Sequence, residues 1–77
     1  MKYVAFNEST QLGISMMFAF NKFELTTNVK LMTKFANHEG AQKFIDDLTT
    51  HLDRFRQILP IPADFDPKDY VVKAIDY

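Results

Sequence analysis

The chain has 77 residues, 47% of them hydrophobic, with eight Phe, no Cys and a net charge of −1. That length fits one domain rather than two, the apolar content excludes a disordered tail, and the missing cysteines exclude disulfide staples. The small net charge points to neither a nucleic-acid binder nor an acidic mimic, although residues 1–38 carry +2 and residues 39–77 carry −3.

A domain this small buries little surface, so dense aromatic packing or self-association is expected to compensate. The first residues, MKYVAFNEST, have no apolar stretch of signal-peptide type. The apolar run at 12–20 is about half the length of a membrane span. A cytoplasmic protein without membrane contact is expected.

Residues 2–6, Lys-Tyr-Val-Ala-Phe, read as a short strand, and Asn7-Glu8-Ser9-Thr10 as a polar turn. Beyond the turn the pattern alternates. Leu12, Ile14, Met16, Phe18 and Phe20 share one face; Gly13, Ser15, Met17 and Ala19 share the other. The alternation resumes at Phe23 and continues to Phe35. Period two predicts strands over 11–20 and 23–35. Leu12, Met16 and Phe20 also stand four apart, as on a helix over 9–20, but Gly13 and the aromatic content disfavour that. Asn21-Lys22 suits a two-residue hairpin turn, because Asn tolerates positive φ. That turn sets Phe20 against Phe23, Phe18 against Leu25, Met16 against Thr27 and Ile14 against Val29, all on one face.

Residues 38–59 read as one long helix. Asn37 is a natural N-cap, and Glu39 falls in the first turn. Ala41, Phe44, Ile45, Leu48, Leu52, Phe55 and Leu59 recur three and four apart and form one apolar arc. Pro60 ends the helix, since it disfavours the α conformation at Leu59. Three prolines make 60–68 an extended connector, and 69–76 reads as a last strand. The order β-β-β-α-β predicts a small single α+β domain. Its sheet is expected to be mixed or antiparallel, with one long helix on one face and the last strand returning beside the first.

No catalytic motif is present, and neither a cofactor nor a metal is expected. His38 and His51 fall on different helix faces, with no ligand spacing such as HExxH. Asp64-Phe65-Asp66-Pro67-Lys68-Asp69 resembles a calcium loop in its first positions. It lacks the turn Gly and has Ile75 where the closing Glu belongs, so an Asx/Pro turn is the expectation. Asp46 and Asp47 point about 100° apart on a helix and do not share a site.

Two surfaces remain. A sheet face away from the helix would carry Asn28, Lys30 and Lys34, a weak candidate for nucleic acid because Glu24 interrupts it and no Arg joins it. The hairpin tip is the second. Thirteen-residue strands would run to roughly 40 Å, whereas a 20-residue helix covers about 30 Å. The uncovered end would present apolar side chains, and such patches mark interaction sites. Ile61, Pro62 and Phe65 of the connector, a second copy of the chain or a foreign partner could cover it.

The leading expectation is a non-catalytic protein-binding module using Met17, Phe18, Phe20, Asn21, Lys22 and Phe23. Its partner would be another protein, or the chain itself as a homodimer. Small motif-free domains of this kind occur among phage and mobile-element accessory proteins, where many inhibit a host enzyme or defence complex; this is an analogy of size and composition. The alternatives are a nucleic-acid-binding domain and a structural subunit of a homo-oligomer.

Overall fold

The computed structural model describes residues 1–76. Four strands form one antiparallel sheet: β1 (Lys2–Asn7), β2 (Leu12–Met17), β3 (Lys22–Thr26) and β4 (Val71–Ile75). Their order across the sheet is β3-β2-β1-β4, so the last strand lies beside the first as expected, and every pairing is antiparallel. Two helices, α1 (His38–Thr50) and α2 (Leu52–Ile58), lie on the inner face.

Both hairpins use the same device. Asn7 pairs with Leu12 and Met17 pairs with Lys22, each across a four-residue loop whose last residue is left-handed, Gln11 (φ 64°) and Asn21 (φ 49°). Asn7 organises the first loop: its Oδ1 accepts from the backbone N–H of Ser9 and Thr10. In the second, Phe18–Phe20 form a single 3-10 turn closed by the Asn21 N–H donating to the Phe18 carbonyl. Asn21 therefore turns the chain, but not within a two-residue loop. The register shifts by four residues, so that Met16 opposes Phe23 and Ile14 opposes Leu25. An even shift keeps each side chain on its expected face.

The strands are shorter than the alternation implies. β2 ends at Met17 rather than 20, and β3 ends at Thr26 rather than 35. Local side-chain bonds stop β3: Thr26 Oγ1 accepts from Asn28 N–H, and Asn28 Oδ1 accepts from Lys30 N–H. The chain then crosses the outer face of the sheet and rejoins it at 33–35. There β1 and β2 have diverged, having paired only at Phe6–Gly13 and Asn7–Leu12. Thr33 fills the gap on the β2 side. Its N–H donates to the Ile14 carbonyl, and its Oγ1 accepts from Met16 N–H and donates to the Met16 carbonyl. Phe35 exchanges both backbone bonds with Tyr3 of β1. The wedge satisfies backbone groups that the split would otherwise leave bare. Folded this way the molecule's longest axis is 33 Å, too short for a straight 13-residue hairpin of roughly 40 Å.

The expected single helix breaks at His51, which has φ −119° and ψ 31°. Two β-branched residues precede it, and Thr49 Oγ1 donates back to the Ile45 carbonyl, a bond that bends helices. The start is as read: Asn37 Oδ1 accepts from Gly40 N–H at 2.7 Å. The inner core joins Ala5, Ile14 and Phe23 of the sheet to Ile45 and Leu48 of α1 and to Leu59, Phe65 and Tyr70. A second cluster, Val4, Phe6 and Met32 with Ile75 against it, lies on the outer face. Met32 seats on Gly13, where a Cβ would run into its Cγ, Sδ and Cε. The glycine is needed here for close approach.

Candidate functional site

The hairpin tip divides into a covered half and an open half. Phe23 is 6% exposed, with its ring edge-on to Phe65 at 5.0 Å. Phe65 in turn stacks on Tyr70 at 5.2 Å, and Ile61 packs on the same core. The connector thus folds back over the base of the tip. Arg56 of α2 holds it there, its Nη2 donating to the Ala63 and Phe65 carbonyls at 3.2 and 3.3 Å.

The connector does not reach the end of the hairpin. Phe20 is 75% exposed, and Met17 and Phe18 are each 52% exposed. Among the described residues Phe18 meets one aromatic ring, Phe55 of α2 at 5.7 Å between centroids. Ile58, one turn along from Phe55, is also exposed. Lys22 and Glu24 form an exposed ion pair at 3.6 Å beside the loop, a weak contact in water. Of the six residues expected at the site, Met17, Phe18, Phe20, Asn21 and Lys22 belong to the open tip or its closing pair, and Phe23 belongs to the core. Strand alternation does not reveal that Phe55 of α2 meets the tip.

The candidate nucleic-acid residues leave the sheet. Asn28 and Lys30 sit in the turn that ends β3, and Lys34 lies in the crossing segment, its Nζ donating to the Lys30 and Met32 carbonyls. The expected flat sheet face of Asn28, Lys30 and Lys34 does not form, because 27–35 covers that face instead of extending it.

His38 and His51 stand at opposite ends of α1, about 20 Å apart at 1.5 Å per residue. His38 meets the ring of Tyr3 edge-on, and His51 occupies the helix break. The Asp-rich connector forms the Asx/Pro turn: Asp66 Oδ1 accepts from Lys68 N–H ahead of a short 3-10 turn beginning at Pro67. Asp64, Asp66 and Asp69 line a shallow cavity of about 230 Å³ with Tyr70 and Asn7. Burial pushes the Tyr70 phenol above its usual range, Asp69 and Asp64 push it further, and a hydrogen bond to the Asn7 side chain opposes them. Among the described residues no group of three or more His, Cys, Asp or Glu is placed to hold a metal ion, and no helix is long and apolar enough to cross a membrane.

Comparison with known proteins finds no matching family model, no matching curated protein and no matching solved structure.

Proposed function

We infer that this chain is a non-catalytic protein-binding module whose contact surface is the β2–β3 loop. The observation that supports it is the exposure of Phe20, Phe18 and Met17 on a short loop closed by one backbone hydrogen bond and a left-handed Asn21. A fixed loop presents large side chains with little conformational entropy left to lose on binding. Aromatic side chains of this kind anchor interfaces by filling a pocket on the partner. The convex tip therefore suits a cleft on another protein, the geometry by which a small inhibitor occludes an enzyme or a complex. Met17 adds an adaptable thioether at the edge.

Capture from extracts of the source cells tests this with wild type and Phe20→Asp side by side. Phe20 makes few contacts, so the variant folds like wild type. A discrete protein held by wild type and lost by Phe20→Asp is the expected result. Equal capture by both removes the tip from the interface. Light scattering over a hundredfold range of concentration separates the remaining possibility. A dimer abolished by Phe20→Asp would reassign the tip to a second copy of the chain.

A further inference from the structure

β4 ends the sheet, paired with β1 on one side only. Which of its backbone groups stay free follows from Tyr3. Tyr3 exchanges both backbone bonds with Phe35, so its N–H and C=O point away from β4. Tyr3 stands opposite Ala74. This pair is therefore of the non-hydrogen-bonded kind, in which both residues aim their backbone groups away from each other. Alternation then sends Val71, Lys73 and Ile75 toward β1 and leaves Val72 and Ala74 facing outward. Among the described residues no turn, loop or side-chain bond reaches those two.

Sheet edges are commonly blunted by charge, proline, a bulge or a covering segment. β4, Val-Val-Lys-Ala-Ile, holds no proline, and its register against β1 runs unbroken from Val71 to Ile75. Its one charge is drawn inward, with Lys73 Nζ 4.3 Å from the centroid of the Phe6 ring on β1. Val71 is 48% exposed. The opposite edge differs, since β3 carries both Lys22 and Glu24. An open edge accepts another extended strand, and a second copy supplies one with matching free groups. A domain this small also gains from covering the edge. Two-fold symmetry leaves few registers. A centre at Lys73 would set like charges face to face. A centre at Ala74 would set Asp76 beside Val72, which packs on the core. A centre at Val71 would need the Tyr70 N–H, which already donates to the Pro67 carbonyl. A centre at Val72 meets none of these obstacles, and it seats Val71 of one copy against the aliphatic stem of Lys73 in the other.

We propose that two copies of this chain pair through β4, antiparallel about a two-fold axis at Val72, into one continuous sheet. Val72 exchanges both backbone bonds with its counterpart, and each Ala74 N–H donates to the Tyr70 carbonyl of the other copy. The edge lies across the sheet from β3, so the β2–β3 tip stays open in the dimer and the pairing does not depend on what the tip binds.

Light scattering up to millimolar concentration, with amide exchange of the ¹⁵N-labelled chain at low and high concentration, tests the pairing. The expected result is a dimer in which the Val72 and Ala74 amides become protected as concentration rises, while Lys73, bonded to β1 within each copy, is protected throughout. Phe20→Asp should leave this dimer intact. Val71 is exposed, so its variants keep the fold. Val71→Lys sets like charges across the interface and should weaken the dimer about two- to thirtyfold, the span of two cross-strand pairs. Val71→Glu faces Lys73 instead and should tighten it by a similar factor. Ala74→Pro removes an outward donor without touching the β1 ladder and should give a folded monomer. A monomer at every concentration overturns the proposal. So does a dimer that Phe20→Asp abolishes, or one in which the Val72 and Ala74 amides stay unprotected. A shift in the same direction by Val71→Lys and Val71→Glu also overturns it.

Discussion

Gly13→Ala isolates the contact that fixes segment 27–35 onto the sheet. Gly13 lies in β2 with negative φ, so the backbone accepts alanine there. Without a neighbour the change would stabilise by about 0.4–1 kcal/mol through a less flexible unfolded chain. Met32 reverses the sign. Its side chain is 3% exposed, and its Cγ, Sδ and Cε occupy the volume of the new methyl. Because Cγ is among them, a rotation of the terminal methyl does not clear the clash. Overpacking of this kind costs about 1–3 kcal/mol, set against a total stability of roughly 4–12 kcal/mol at this length. Met32→Ala alone leaves a cavity and costs about 2–5 kcal/mol. In that background the methyl introduced by Gly13→Ala enters vacated space, so the substitution should become neutral or stabilising. Urea unfolding of the four proteins measures this as a coupling of about 1–3 kcal/mol. An equal effect of Gly13→Ala in both backgrounds, or stabilisation in wild type, would refute the placement of Met32.

Three further outcomes are expected. Arg56→Ala removes the clamp on the connector carbonyls and should cost about 1.5–3 kcal/mol; Arg56→Lys should recover only part of it, since an ammonium lacks the planar fork. Thr33→Val leaves Met16 N–H without its acceptor inside the split sheet and should cost about 1–3 kcal/mol, with faster amide exchange at Met16 as its signature. Tyr70 carries a pH signal, because its phenol is raised in the fold, chiefly by burial. That stability is fully present below the unfolded value near 10 and lost as pH rises through the higher folded value. The stability difference between wild type and Tyr70→Phe should therefore shift against wild type above about pH 10; a difference constant across that range would contradict the burial of the phenol.

Local signals in the sequence located several elements well. β1 follows the run read at residues 2–6, extended by Asn7 into the turn cluster, and α1 begins at the cap that Asn37 provides. Asn21 announced the reversal of the chain. The misreadings share a physical origin. Residues 27–35 alternate like a strand, but Val29 and Leu31 of the alternating set are exposed and it is Met32, from the opposite set, that seats on the sheet. Period two reports one buried and one solvated side, and it cannot say whether the segment pairs as a strand or which backbone provides the partner. Thr26-Thr27-Asn28 was the legible break, being a run of residues that bond their own backbone. Phe18-Ala19-Phe20 held no turn residue, so alternation carried the strand through what is a 3-10 turn. The helix break at His51 was foreshadowed by Thr49-Thr50, yet the apolar arc continued past it because α2 packs on the same core. At the tip, the division between Phe23 and Phe20 depended on where the connector returns, a long-range contact that no local pattern encodes.

The claim that the open tip is the contact surface is tested most directly by photo-crosslinking in the source cells. A benzoylphenylalanine replaces Phe20 in one variant and the exposed Arg54 in another. The account predicts a discrete crosslinked protein from position 20 and none from position 54. No product at position 20, or the same product from both positions, would contradict it.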